Sequence, residues 1–400
     1  MLKKTSRYVT PLMILSCFWL GWCSPLTATA ISSQNLAATQ GQESTEVLPT
    51  PQEYTDLIAG QEMDPARVAR WLNVEGWTAY LEEINAVWQR FAAKYLTPMR
   101  TWAQEELAAL PHSNATVLYP FSGPDAINVL TLFPHAQHYL LIALEPVGSL
   151  PLFRPGENEP FYEALEQSLN NLLFLNYFIT KEMASDMANP ELDGVLPILL
   201  FFLGRENVIV HEVTYQLLQP DGTVMAQPVQ AGKKLTGAGI PGVKILFQRD
   251  PAAPRQTLFY FQFNLHNSSW QKHPHFAGFL QQWGPLRTFL KAASYLLFNS
   301  DFAGIRQFIM DHSQLVLQTD EGIPWRYFAP EQWDCRLYGH YACPIRVFAH
   351  CWQPDLAKMY QDSRRVRPLP FVIGYQGRPQ AANLMLAIRR SAVVTAEDHR

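Results

Sequence analysis

The sequence predicts an α/β protein, with a helical segment ahead of its core and a mainly β region behind it. Three observations carry that class. Residues 115–148 run strand, helix, strand: ATVLYPF and HYLLIALEPVG flank the turn-and-helix stretch SGPDAINVLTLF. Of 400 residues, 48% are hydrophobic and 16% charged, which supplies a sizeable core for one or two domains and excludes wholesale disorder. The 30 prolines, with 11 Trp, 16 Tyr and 23 Phe, exclude a coiled coil or a simple helical bundle. A net charge of −4 offers no concentrated positive surface for phosphates, so no nucleic-acid partner is expected.

Residues 1–30 have the order of a secretory signal: Lys3, Lys4 and Arg7, an apolar stretch from Tyr8 to Cys23, then Ala28-Thr29-Ala30 before Ile31. That apolar stretch is 16 residues long and contains Thr10, Pro11 and Ser16. Spanning a bilayer takes roughly 20 apolar residues, so cleavage after Ala30 is expected, with no transmembrane segment left behind. Loss of the three basic residues takes the net charge from −4 to −7. Lipidation is disfavoured, because Trp22 is too bulky beside Cys23 and Cys17 lies inside the apolar run. The expected setting is therefore periplasmic or secreted.

Residues 31–60, rich in Ser, Thr, Gln and Pro, read as a flexible lead. A helical segment over 61–112 opens with Asp64 as N-cap and Pro65 at N1, and carries Trp71, Trp77, Leu81, Ile84, Val87, Trp88 and Phe91 at helical spacing. The α/β core is expected over 113–330. In the unit at 115–148 the short crossover makes the two strands parallel with the helix on one face. A long amphipathic helix follows from about Pro160 to Met187, and GVLPILLFFLG reads as a further helix. VIVHEVTYQLL, VKILFQ and TLFYFQFNL read as adjacent antiparallel strands. Two helices complete the core, PLRTFLKAASYLLF from Pro285 and FAGIRQFIMDH capped by Asp301.

Residues 331–400 read as a mainly β region packed on the core. In CRLYGHYAC, Cys335 and Cys343 lie equidistant from Gly339, as opposed positions of a hairpin would, so a disulfide between them is geometrically allowed and Cys351 is left over. Three buried, inert thiols are the alternative.

Candidate chemistry concentrates at the end of the first strand. Tyr119 leads into Phe121-Ser122-Gly123-Pro124-Asp125, where open α/β sheets bind ligands and a helix N-terminus can hold an anion. Glu145 ends the next strand, 22 residues after Gly123, near the spacing at which an acidic residue meets a ribose. Gly123 would allow close approach, Ser122 would donate a hydrogen bond and Glu145 would accept one. The unit thus resembles the Rossmann-like folds of nucleotide-binding proteins and methyltransferases, although their glycine repeat is missing. Ser122-x-x-Asp125 also has the form of a capping box, which explains both residues without a ligand. An exported protein meets few nucleotides, so no cofactor is expected.

Other constellations are weaker. Gly237-Ala-Gly239-Ile-Pro-Gly242 spells a dinucleotide motif but precedes a strand, so it reads as a loop. His266, His273 and His275 cluster on HNSSWQKHPH, which reads as a loop without a matching carboxylate, and His340, Cys343, His350 and Cys351 fit no standard zinc spacing, so no metal is expected. A hydrolase would use Ser122 or Asp125 with a histidine, for which Asp311 and His312 are nearest in kind, but the Ser122 context departs from a nucleophile elbow. Arg364-Arg365-Val366-Arg367 reads as a solvated basic loop.

Through YPFSGPDAINVLTLFP, LEPVG, FLKAASYLL, GIPWRYF and LYGHY, the chain resembles a group of uncharacterised exported bacterial proteins over roughly residues 115 to 385. The resemblance implies a bacterial envelope or secreted setting and carries no activity, cofactor or partner with it. The expected function is non-catalytic binding of a small ligand or an envelope protein at Tyr119, Ser122, Gly123, Asp125 and Glu145. A cell-envelope hydrolase is the alternative.

Overall fold

The computed structural model describes residues 48–108, 110, 115–175, 190–362, 364–375 and 380–390. The expected signal and most of the expected lead lie outside the described residues. The fold is mixed α/β, built on an open sheet of eleven strands. These are β1 (Thr116–Pro120), β2 (His138–Ala143), β3 (Ile209–Leu218), β4 (Val224–Pro228), β5 (Ile240–Gln248), β6 (Gln256–Gln262), β7 (Leu286–Leu290), β8 (Ser313–Gln318), β9 (Trp333–Gly339), β10 (Val366–Arg367) and β11 (Asn383–Arg389). Across the sheet they run β10-β9-β11-β8-β7-β1-β2-β6-β5-β3-β4.

The five central strands, β8-β7-β1-β2-β6, are mutually parallel. β1 is the pivot. The chain leaves it through helix α5 (Ala126–Leu132) to reach β2 on one side, and much later comes back as β7 on the other. Antiparallel strands extend both flanks, β5-β3-β4 beyond β6 and β11-β9 beyond β8. The expected antiparallel neighbours β3, β5 and β6 do lie side by side, but only the first half of the expected Gly237–Gly242 loop is one: Ile240, Pro241 and Gly242 open β5 and pair with Leu218, Leu217 and Gln216.

Each face of the sheet buries its own core. On one face, Val117, Tyr119 and Phe289 pack under α1 (Pro51–Ala59), α3 (Val74–Phe91), α4 (Thr97–Glu106), α5, α6 (Glu159–Leu175) and α7 (Leu196–Arg205); α2 (Pro65–Val68) adds Val68 to the same core. On the other, Leu118, Leu286 and Leu290 pack under α8 (Asn267–Lys272), α9 (Pro274–Gln281), α10 (Ala303–His312) and α11 (Pro354–Gln361). Alternate residues of β1 therefore serve opposite cores, which is why its whole length is buried.

Several expectations are corrected. PLRTFLKAASYLLF is strand β7 followed by a loop, not a helix: Leu286, Phe289 and Leu290 fall at helical spacing because the strand buries apolar side chains on both of its faces, and periodicity cannot separate the two. HNSSWQKHPH forms α8 and the start of α9, with the His266 ring accepting from Ser268 N–H as the N-cap. Asp301 caps nothing; Asn299 accepts from Asp301 N–H at 3.0 Å at the 3-10 turn before α10. The C-terminal strands do not pack on the core as a separate region but extend its sheet through β8. The cysteine hairpin does not form. β9 pairs with β11 and β10, and Cys335 lies opposite Ala387 as a free thiol, while Cys343 is exposed and Cys351 buried.

The end of the expected lead is structured as well. Thr50-Pro-Gln-Glu53 is a complete capping box with proline at N1, and it starts α1, whose Leu57, Ile58 and Ala59 are fully buried. α1 lies directly against α7. A Cβ on Gly204 would sit 2.4 Å from Ala59 Cβ, so the two helices touch through a residue that has no side chain. Gly204→Ala is expected to destabilise the protein by about 1–3 kcal/mol through overpacking. This outweighs the ~1 kcal/mol that alanine gains in an exposed helix. Urea unfolding midpoints would show it; a stabilised variant would mean that α1 does not dock here.

Candidate functional site

The loops following β1, β2, β6 and β7 surround a cavity of about 150 Å³. It stands at the carboxyl edge of the parallel strands, beside the β1–β7 boundary where the chain connections reverse, the usual ligand position in open α/β sheets. The sequence-predicted residues Tyr119, Ser122, Gly123, Asp125 and Glu145 all line it. Folding also brings Lys291, Ser294, Asn264 and Tyr375 into the same wall, none of which the sequence reading selected.

At the floor, Lys291 Nζ forms an ion pair with Asp125 Oδ2, and both side chains are almost completely buried. The carboxylate also accepts from Asn128 Nδ2 at 2.8 Å through Oδ1 and from the Tyr119 hydroxyl at 3.1 Å through Oδ2. Burial pushes Asp125 above the usual carboxylate range, against the opposing pull of Lys291, and pushes the Lys291 ammonium down, against the pull of Asp125. Burial also raises the Tyr119 hydroxyl well above its ordinary value, with the Asp125 charge adding to it, so this phenol acts as a donor. The capping box expected at Ser122 and Asp125 is not formed. The Ser122 hydroxyl donates to Gly123 O at 2.9 Å, Asp125 N–H donates to the Ser122 carbonyl, and the Asp125 carboxylate is committed to its three partners.

Glu145 is the other acid of the cavity. It is 9% exposed, and its Oε2 is buried without a hydrogen-bond partner. Burial raises its carboxyl above the ordinary range. The residue is held from behind, where the Tyr260 hydroxyl donates to its carbonyl at 2.8 Å.

Backbone strain gathers here. Six non-glycine residues among those described have left-handed φ; Phe121, Ala292 and Ser294 line the cavity, and Tyr295 adjoins it. Each such residue costs of order 1 kcal/mol and persists where surrounding contacts enforce it. Those contacts are visible: the Tyr375 hydroxyl is 2.5 Å from Ser294 Oγ and donates to Ala292 O at 3.0 Å, while the Tyr295 hydroxyl donates to Asp320 Oδ2 at 2.5 Å. Behind this loop Glu321, 1% exposed, accepts from Tyr375 N–H at 2.9 Å and keeps Oε2 unpartnered. Burial, reinforced by the Asp320 charge, pushes its carboxyl up to about 8.

The other candidates scatter. His312 stacks on Phe308, Asp311 accepts from Gln307, and neither lines the cavity. Among the described residues no histidine lines it. Among the described residues no three His, Cys, Asp or Glu side chains come together as a metal site, so neither histidine cluster forms one. The lining can therefore accept hydrogen bonds at Glu145 and Ser122, donate them at Asn264, and shelter apolar groups against Phe121, Phe263 and Leu265. Lys291 was missed because its strand read as a helix. The signal was a single lysine inside the otherwise apolar TFLKAASYLL. Comparison with protein-family models, with curated proteins and with solved structures finds no match.

Two outcomes follow from the buried charges. Lys291→Met is expected to cost about 3–5 kcal/mol in urea unfolding, because it strands the Asp125 carboxylate, and adding Asp125→Leu should recover part of the loss. Glu321 holds its proton more tightly when folded. Its contribution is complete below pH 4.5 and is lost as pH rises towards 8. Glu321→Gln is expected to flatten that decline; stability measured from pH 4.5 to 8 with an unchanged slope would exclude Glu321 as its source.

Proposed function

We propose that this chain is an exported, non-catalytic protein with a Rossmann-like parallel core that binds one small organic molecule in the crevice between the β1 and β2 loops. The observation that carries the reading is the Glu145 carboxylate, whose Oε2 is buried in the cavity wall with no protein donor. A buried acceptor left unmade costs about 1–3 kcal/mol, which a ligand donor would recover. The strained backbone at Phe121, Ala292 and Ser294 supports it, since such strain collects where geometry serves binding.

The chemistry of the wall selects the ligand. A hydroxyl or amine faces Glu145, a second polar group meets Ser122 or Asn264, and an apolar body lies against Phe121 and Phe263. About 150 Å³ is below the ~300–1,000 Å³ that holds drug-sized ligands, so a molecule the size of a simple metabolite fits better than a dinucleotide. Export is supported by Lys3, Lys4 and Arg7 ahead of the apolar run and by Ala28-Thr29-Ala30 after it. The hydrolase alternative has less support, because Ser122 spends its hydroxyl on a backbone carbonyl and, among the described residues, no histidine lines the cavity.

Native mass spectrometry of the mature chain, purified from its own compartment, is expected to show a co-purifying small molecule. Glu145→Gln should weaken its retention by about tenfold and Ser122→Ala by about threefold. If both variants retain it as the parent does, the site assignment is wrong. Native protein that still begins at Met1 in a cytosolic fraction would overturn export.

A further inference from the structure

A second cavity, of about 340 Å³, opens at the other end of the parallel strands, between α4, the C-terminal end of α5 and the start of β7. β7 reaches both cavities. Arg287 enters this one and Lys291, four residues on in the same alternation, enters the first, with Phe289 buried between them.

Three guanidinium groups, of Arg100, Arg249 and Arg287, line the second cavity against the single carboxylate of Glu206. Arg249 is committed: it donates to Pro134 O at 2.9 Å and Leu130 O at 3.1 Å, closing the carbonyls at the end of α5, and to Glu206 Oε2 at 3.2 Å. Arg100 pairs with the other oxygen of the same carboxylate at 2.5 Å. Glu206 is thus shared between two cations. Arg287 has no ion-pair or hydrogen-bond partner among the described residues, and burial alone lowers its affinity for a proton. A second, independent sign of a missing partner stands in the same wall. Thr131, 2% exposed, lines the cavity, and its buried hydroxyl makes no hydrogen bond. Apart from Gln104 and His135 the rest of the lining is apolar, including Leu107 and Leu130.

We propose that this cavity binds an organic carboxylate with a short apolar body. The planar fork of Arg287 holds the carboxylate through two parallel hydrogen bonds, Arg100 contributes a spare donor, and the Thr131 hydroxyl donates to the same group. The apolar chain lies along Leu107 and Leu130. One partnerless guanidinium between apolar walls suits a singly charged, poorly hydrated anion better than a phosphate, which would have to shed more water. The site is independent of the crevice that contains Glu145.

The test is isothermal titration of the full chain with octanoate, with octanol and inorganic phosphate as comparison probes. Octanoate is expected to bind one to one and to weaken as salt is raised. Arg287→Gln should weaken it by at least about tenfold, and Arg100→Gln by about threefold. Should Arg287→Gln fail to fold, Thr131→Val keeps the side-chain volume, removes the hydroxyl and is expected to cost about threefold to tenfold in affinity. Absence of octanoate binding, octanol binding as tightly as octanoate, or affinity unchanged in these variants overturns the proposal. Phosphate binding more tightly than octanoate overturns the ligand class.

Discussion

The buried pair of Asp125 and Lys291 is the interaction on which the rest of the arrangement turns. Its two halves come from the loops after β1 and β7, the neighbouring parallel strands between which the chain reverses its direction of travel across the sheet. Burying either charge alone would be prohibitive, so the pair forms with both present or the loops do not settle. The carboxylate is satisfied further by Asn128 from the first turn of α5 and by Tyr119 from β1 itself, so one side chain fixes a helix, a strand and the opposite loop together. Phe121 and Ala292 adopt left-handed backbone beside it, a cost that these contacts hold in place.

Around that junction the sheet has a division of labour that follows from the pleat. Odd-numbered positions of β1 serve the core beneath the N-terminal helices, and Leu118 serves the core beneath α8 to α11. α5 is the short helix against which both cavities form, its N-terminal residue Asp125 lining the upper one and its last residues the lower one. β7 spans the same distance on the sheet. The two cavities differ in charge: Asp125 and Glu145 stand with Lys291 in the first, and Arg100, Arg249 and Arg287 with Glu206 in the second.

What was legible in the sequence was short-range. The strand-helix-strand unit over residues 115–148 and the Asp64 and Pro65 start of α2 each depend on neighbours a few residues apart, and the fold has them. α1 was equally legible through Thr50 and Glu53, but the surrounding Ser, Thr and Gln content masked it. β7 was not, since an apolar run buried on both faces carries the spacing of a helix as well as of a strand. The symmetric placing of Cys335 and Cys343 about Gly339 suggested a hairpin. The true partners of β9 come instead from residues 366–389, a pairing that no local pattern announces.

By itself, then, the sequence determined the class of the fold, the place of the first parallel unit and one arc of the crevice, Tyr119 to Asp125 with Glu145, because strand alternation and turn chemistry act over a few residues. Tertiary structure alone decided that Lys291 meets Asp125, that Tyr375 braces Ser294, and that Arg287 shares a cavity with Arg100, Arg249 and Glu206. Those outcomes depend on strand order and on which charges lose their water, and both are set by contacts between residues far apart in the chain.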